Sequence, residues 1–332
     1  MYSGILEILR GRPISRQIIL LRHNSGAGFE LSLQLQPSQT MLPFSSSPRL
    51  RALLISLAIA AALVFYAVIS AEPVLRVSLA PDELPSIMRR KFKPLSDYLE
   101  KKIGMKVEFR AMASEDALVN ALAANKLDMV WFSGFGFIQA RMRSNDRVVP
   151  IAQRAEDAQT KSVFITTHDD ITRLEDLKGK TFAFGSETST PDHLMPRSFL
   201  RAAYIDPDNE MKRVIYAGAP DKVVAAVAGG EADAGVLSST AWEKMLADGK
   251  ADPRVLHVFY STPGYCDYNW TARADMNANL RQKLTEAFLS LDRNFGQDKE
   301  ILDLQHASRF IPTDAENYSA IETAARSAGM LK

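Results

Sequence analysis

The sequence predicts an α/β protein with two lobes, each built on a parallel or mixed β-sheet covered by helices, and with two strands crossing between the lobes. Two observations support this prediction. Short apolar runs alternate with amphipathic stretches after Pro73, which is the pattern of a parallel sheet with helices on its faces. The pattern occurs twice, and 332 residues are enough for two separate hydrophobic cores.

The first lobe begins with a strand–helix–strand–helix–strand unit. Its predicted strands are Val74–Leu79, Lys106–Arg110 and Asp128–Phe132. Pro85–Ile103 has apolar residues at helical spacing, and Gly104 ends that helix as a C-terminal cap. Ser114–Ala124 is a second helix, because Ser114 can cap it and two acids follow in its first turn.

The second lobe repeats the alternation. Its predicted strands are Thr181–Phe184, Arg213–Tyr216 and Ala234–Leu237, and its predicted helices are Asp192–Ala203, Pro220–Ala228 and Thr240–Ala247. The extended segments Ser162–Thr167 and Tyr268–Arg273 are the predicted crossing strands. The helices Asn277–Leu291 and Asp314–Ala328 return to the first lobe. We therefore assign residues 72–163 and 269–332 to lobe 1 and residues 164–268 to lobe 2.

Residues 41–71 have the pattern of a secretory signal peptide. Arg49 and Arg51 precede the uncharged apolar run Ala52–Ile69, and small residues follow it. An uncleaved membrane anchor is the alternative, because the eighteen residues of the run are near the lower limit for spanning a bilayer. Met41 is a natural start, so residues 1–40 are predicted to be a disordered or wrongly assigned extension.

Composition excludes several classes of protein. Residues 1–71 carry six arginines and two acids, so the remaining chain has a formal charge of −3, which argues against nucleic-acid binding. Cys266 is the only cysteine, and the five histidines are scattered, so neither a disulfide nor a metal site is expected. We expect no cofactor and no catalytic residue, since the sequence has no nucleophile elbow and no phosphate-binding loop.

Six ordered segments carry a resemblance to a known family. They are FKPLSDYLEKKIGMKVEF (92–109), LDMVWFSGFGFIQA (127–140), LEDLKGKTFAFGSETST (174–190), HLMPRSFL (193–200), GEADAGVLSSTAWEK (230–244) and YCDYNWTARAD (265–275). Residues 74–330 resemble the phosphate, phosphite and phosphonate substrate-binding proteins of ABC transporters, most closely the selenate-binding branch. The resemblance implies a two-lobed periplasmic binding protein fold (type II-like) that captures a tetrahedral oxyanion by hinge closure and delivers it to an inner-membrane permease. We expect a monomer located in the periplasm.

In the family, a Ser-Thr-Ser run opens a helix and binds the anion through hydroxyl and backbone N–H groups. Ser189 and Thr190 match that run, but Pro191 and Asp192 stand where the family usually has Ser-Gly. Proline removes a hydroxyl and an N–H donor, and a carboxylate beside the anion is repulsive unless something is protonated. The alternative is that Thr190, Pro191 and Asp192 form only a good helix start, with Thr190 as its cap.

Further candidates follow from the rule that ligands bind at the carboxyl ends of strands. This rule selects the segments 80–85, 131–136, 185–193 and 238–240. The candidate ligand contacts there and at the crossings are Trp131, Phe132, Lys161, His193, Ser238 and Tyr265, with Asp267 and Tyr268 as further rim contacts. Each has a structural alternative: core burial for the aromatic residues, a solvated surface position for the lysine and a helix cap for Ser238.

Two other functions stay open at this point. An enzyme could use the same cleft, although no catalytic motif supports it. A membrane-tethered oxyanion sensor would follow if the apolar run 52–69 were not cleaved.

Overall fold

The computed structural model describes residues 52–53, 56–57, 73–79, 88 and 90–331. The predicted extension 1–40 and the loop 80–85 lie outside the described residues, and so does the signal peptide 41–71 except for four positions. Among the residues that are described, no helix is long and apolar enough to span a bilayer.

The described part of the chain contains two mixed sheets. Its strands are β1 Val74–Leu79, β2 Lys106–Phe109, β3 Met129–Phe132, β4 Val148–Arg154, β5 Ser162–Thr166, β6 Thr181–Phe184, β7 Arg213–Tyr216, β8 Ala234–Ser238, β9 His257–Ser261, β10 Asn269–Arg273 and β11 Phe310–Ile311. The first sheet has the order β11-β4-β10-β3-β1-β2, and the second has the order β7-β6-β8-β5-β9. We call the first sheet with its helices lobe 1 and the second sheet with its helices lobe 2.

Helices cover both sheets. The α-helices are α1 Lys93–Ile103, α2 Glu115–Ala123, α3 Gly134–Arg143, α4 Met195–Ala202, α5 Pro207–Glu210, α6 Pro220–Ala228, α7 Ser239–Ala247, α8 Ala278–Leu289, α9 Gly296–Leu304 and α10 Ser319–Ser327. Short 3-10 helices lie at Ala155–Gln159, Leu174–Leu177 and Ala315–Tyr318, and a π-helix lies at Thr190–Leu194.

Each sheet is parallel where the sequence alternates strand and helix. In lobe 1, β1 pairs in parallel with β2 and β3, whereas β10 is antiparallel to β3 and β4. In lobe 2, β6 pairs in parallel with β7 and β8, whereas β5 is antiparallel to β8 and β9. The carboxyl ends of the parallel strands in each lobe therefore meet at one edge, where the loops that follow β3, β6 and β8 gather.

The local signals that predicted the end of α1 and the start of α2 are confirmed, whereas α1 begins at Lys93 and not at the predicted Pro85. Gly104 adopts the left-handed conformation (φ 72°) that ends α1, and its N–H donates to the Glu100 carbonyl. The Ser114 hydroxyl accepts the Ala117 N–H at 3.1 Å and so caps α2. The strands β4 and β9 and the helix α3 were not predicted, because their apolar residues follow neither the helical nor the strand periodicity clearly.

The chain passes twice between the sheets. The first passage follows β4 through Ala155–Gln159, and the second leads from β9 through residues 262–268 into β10. Thr160 and Tyr265 exchange two backbone hydrogen bonds of 3.0 Å, which join the passages. The segments predicted to cross, β5 and β10, each lie within one sheet, and the crossings come immediately before them. The predicted lobe boundaries stay a prediction.

Apolar side chains pack on both faces of each sheet. One cluster contains residues of both lobes: Leu194 and Met195 of lobe 2 pack with Phe135 and Ile321 of lobe 1. All four side chains are at most 4% exposed. In addition, Arg201 donates to the Ser327 carbonyl at 3.0 Å. The two lobes are thus in direct, largely apolar contact, which describes a closed arrangement.

Candidate functional site

Polar groups of both lobes meet where the loops after β3 and β6 approach each other. The Phe135 N–H of α3 donates to the Thr190 hydroxyl oxygen of lobe 2 at 3.0 Å. Ser133 caps α3 by accepting the Gly136 N–H at 3.1 Å, and it donates to Glu115 at 2.7 Å. The N-terminus of α3 therefore points at the loop that contains the predicted anion-binding residues.

Ser189, rather than Thr190, caps the helix of lobe 2. Its hydroxyl accepts the Asp192 N–H at 3.1 Å, and the π-helix Thr190–Leu194 then leads into α4. The prediction that Thr190 is the cap was wrong, because the Thr190 hydroxyl is used between the lobes. Thr190 is fully buried and is the contact that joins this helix start to α3.

Asp267 completes the junction between the lobes. Its carboxylate accepts the Gly134 N–H at 2.9 Å, and the nearby Thr190 hydroxyl lowers the pKa of Asp267. The residue is 1% exposed, so it is not the rim contact that the sequence suggested. Burial, and next the negative charge of Asp157, raise the pKa of Asp267 to about 7. We call Gly134, Phe135, Thr190 and Asp267 the interlobe junction.

Asp192 lies inside lobe 2. Its Oδ1 accepts the Ser238 N–H at the end of β8 at 2.8 Å, and its Cβ lies close to Gly185 at the end of β6. The side chain is therefore buried rather than turned to solvent. Burial raises the pKa of Asp192 to about 6, although the bonds from Ser238 and Ser189 act in the opposite direction.

Tyr265 and Ser238 have structural partners beside this site. The Tyr265 hydroxyl lies 2.7 Å from the Ser162 hydroxyl, which also donates to the Pro191 carbonyl at 2.6 Å. Ser238 caps α7 by accepting the Ala241 N–H at 3.2 Å. The structural alternative for Ser238 is thus present. Tyr265 is linked to Pro191 through the Ser162 hydroxyl, and the Ser238 N–H bonds directly to Asp192. Both residues therefore lie beside the helix start at 189–192.

The two aromatic candidates at the end of β3 have different environments. Phe132 is 1% exposed and packs in the core cluster shared by the lobes, so it offers no surface to a ligand in this arrangement. Trp131 is half-buried and stacks on Tyr268, with ring centroids 5.6 Å apart. The Arg154 guanidinium lies 5.2 Å from the Trp131 ring and pairs with Asp157 at 2.7 Å. Arg154 was not predicted, because β4 itself was not predicted.

His193 and Lys161 are separate from the junction. His193 Nδ1 lies 2.8 Å from the Glu187 carbonyl, and Nε2 accepts the Arg197 Nε–H at 3.0 Å. Burial lowers the pKa of His193, so the ring is neutral at pH 7 and both nitrogens have protein partners. Lys161 is exposed, which matches its structural alternative. The prediction that His193 donates to a ligand is therefore not compatible with this arrangement.

The site has the groups for capture of an anion by hydrogen bonding. Backbone N–H and hydroxyl groups converge from both lobes, and two buried carboxylates accept from them. Within the residues that the structure describes, no group of His, Cys, Asp and Glu is arranged to hold a metal ion. Two mixed sheets, two crossings and polar groups converging between the lobes define a two-lobed solute-binding protein.

Comparison with known proteins gives the family. The family model described as "ABC transporter, phosphonate, periplasmic substrate-binding protein" matches residues 77–318. The chain belongs to this family, and it is thus the substrate-binding component of an ABC transporter rather than an enzyme. The resemblance inferred from the ordered motifs is confirmed at this level.

Individual relatives agree with this assignment. The probable ABC transporter phosphite binding protein PhnD1 of Prochlorococcus marinus is 33% identical over 78% of this chain and 91% of its own length. The crystal structure of that PhnD1 with methylphosphonate matches with a TM-score of 0.67, covering 78% of this chain and 99% of the other. A phosphonate transporter binding protein of Pseudomonas aeruginosa, 20% identical, matches with a TM-score of 0.61 over 76% of this chain and 85% of the other, which supports the fold alone. The predicted two-lobed fold is confirmed, whereas the selenate-binding branch stays a prediction.

Proposed function

We propose that this chain captures a small tetrahedral oxyanion of the phosphonate or phosphite type between its lobes. The observation that carries the proposal is the interlobe junction, where Thr190 lies between the Phe135 N–H and the Asp267 carboxylate. A ligand bound there would contact both lobes at once. Such contacts are available only in the closed form, so binding would drive closure.

Asp267 supports a ligand that still carries a proton. A buried carboxylate accepts hydrogen bonds when it is charged, and a protonated ligand oxygen or an ammonium group can supply one. Phosphite and phosphonate monoanions have such an oxygen. The P. marinus relative is named for phosphite, and its structure contains methylphosphonate, which agrees with this ligand class.

The remaining contacts are proposed residue by residue. Ser189 and Thr190 supply hydroxyls, and Ser238 and Tyr265 lie close enough to take part after small shifts. Trp131 would contact the substituent on phosphorus, since its ring is half-buried beside Tyr268. Lys161 would contribute positive charge at the entrance from an exposed position.

The family also supports a location and a partner. We infer that the protein works in the periplasm as a monomer and delivers its ligand to an inner-membrane permease. The matching family is described as periplasmic. Sequencing the N-terminus of the protein recovered from the periplasmic fraction tests the location, and retention of residues 52–69 in the membrane would favour the tethered sensor.

The binding experiment is calorimetry with methylphosphonate, phosphite, phosphate, sulfate and selenate. We expect phosphite or methylphosphonate to bind most tightly, with thermal stabilisation of about 2.7 kcal/mol when the ligand is at a hundred times its dissociation constant. Ser189→Ala should weaken this binding, whereas Thr188→Ala, on an exposed neighbour in the same loop, should not. Absence of binding by every oxyanion, or consumption of many equivalents of ligand in phosphorus NMR, would overturn the proposal.

A further inference from the structure

Asp192 places a buried negative charge within the helix start that is proposed to contact the anion. Its backbone N–H bonds to the Ser189 hydroxyl at 3.1 Å, and its carboxylate accepts the Ser238 N–H at 2.8 Å. The carboxylate thus lies between the first turn of the helix and the end of β8. The carboxylate therefore takes up the Ser238 N–H, a backbone donor that an oxyanion could otherwise use.

The charge of Asp192 is not neutralised nearby. Among the described residues, no lysine, arginine or histidine forms an ion pair with it. Together with burial, the charges of Asp267 and Asp192 both raise the pKa of the Tyr265 and Tyr268 phenols. The adjacent His193 is neutral and bonded to Arg197. An anion at this helix start would therefore meet the field of an uncompensated carboxylate in a region of low dielectric.

We propose that Asp192 is a specificity-determining residue that disfavours fully deprotonated dianions relative to anions of lower charge. The repulsion between two charges grows with the charge of the ligand, so a dianion is penalised about twice as strongly as a monoanion at the same place. This inference rests on the proposed function, because it assumes that the ligand binds at residues 189–190. It differs from the proposed function in one respect: replacing Asp192 should change the relative affinities for different anions, and not only the overall strength of binding.

The protonation of Asp192 gives the effect a pH dependence. Burial raises its pKa to about 6, so the carboxylate is charged at pH 8 and neutral at pH 5. Sulfate stays a dianion over that whole range. A pH dependence of sulfate binding therefore reports on the protein and not on the ligand.

The experiment compares the wild-type protein with Asp192→Asn by calorimetry at pH 8 and pH 5, with sulfate as the dianion and hypophosphite, a monoanion at both pH values, as the ligand of lower charge. The asparagine oxygen can still accept the Ser238 N–H, so the fold is kept, and thermal unfolding checks this. We expect Asp192→Asn to bind sulfate about tenfold more tightly than wild type at pH 8 and equally at pH 5. Because Asp267 is present in both proteins, its titration cancels in the comparison.

Glu187→Gln is the matched control. It removes the same charge five positions earlier in the chain, but from an exposed side chain, where solvent screens it. It should leave all affinities unchanged.

Each result decides the inference. Sulfate binding that appears only in Asp192→Asn supports it, as does the expected tenfold gap that closes at low pH. An equal change for sulfate and hypophosphite at pH 8, a gap that persists at pH 5, or no sulfate binding in either protein would overturn it. If methylphosphonate and phosphite both fail to bind to wild type, the proposed function itself fails, and that outcome is distinct from the others.

Discussion

Thr190→Val should specifically weaken the closed form of the protein. Valine has nearly the shape of threonine but lacks the hydroxyl that accepts the Phe135 N–H at 3.0 Å. Thr190 is fully buried, so water does not replace the lost partner in the closed arrangement. The broken hydrogen bond joins Thr190 of lobe 2 to α3 of lobe 1, so its loss should destabilise the closed form.

The size of the effect follows from the groups left without partners. A buried N–H without an acceptor costs about 1–3 kcal/mol. Partial relaxation brings the net cost to about 2 kcal/mol. This corresponds to roughly thirtyfold in the equilibrium between closed and open forms, and to a similar loss of ligand affinity.

Calorimetry with methylphosphonate and small-angle scattering measure the two consequences. We expect Thr190→Val to bind about thirtyfold more weakly and to show a larger radius of gyration than wild type. Thr190→Ser keeps the hydroxyl and should stay within a few-fold of wild type in both measurements. If the valine variant binds and closes like wild type, the junction does not contribute to closure and the reasoning fails.

Three further predictions concern stability. Arg197→Met should lower the unfolding free energy by about 1–3 kcal/mol in urea denaturation, because it removes a buried guanidinium that donates to His193, Asp208 and Tyr216. Arg201→Met, on a more exposed pair with Asp208, should cost under about 1 kcal/mol, and equal costs would contradict this. The pKa of Asp267 is raised to about 7, so the folded state holds this proton more tightly than the unfolded chain, and the unfolding free energy should fall as pH rises from about 4 to about 7. Asp267→Asn should flatten that slope in denaturation series, and an unchanged slope would show that Asp267 is not its source. Gly185→Ala should lower the melting temperature, since its new Cβ would lie 2.5 Å from the Asp192 Cβ. Gly296→Ala should leave the melting temperature unchanged, because no atom lies within 4 Å of its new Cβ. Equal melting temperatures for the two variants would refute the close packing at Gly185.

Local signals in the sequence were enough to predict much of the fold. Helical spacing and caps predicted α1 with its end at Gly104, the cap of α2 at Ser114, and α6 as Pro220–Ala228. The strands β1, β6 and β7 have the predicted bounds, because each is a short apolar run between turn residues. These features depend on interactions between residues that are close in the sequence, so the local pattern is enough to predict them.

The site depended on contacts that no local pattern contains. Ser189 and Thr190 were predicted as a helix start, but the partner of the Thr190 hydroxyl lies 55 positions away, and the Gly134 N–H that Asp267 accepts lies 133 positions away. The burial of Asp192 against Ser238 likewise depends on how β6 and β8 pair. The sequence by itself therefore determined the two-lobed fold, the family and the candidate helix start. Only the tertiary structure decided which polar groups meet between the lobes, because burial and pairing of a side chain depend on residues that folding brings from distant parts of the chain.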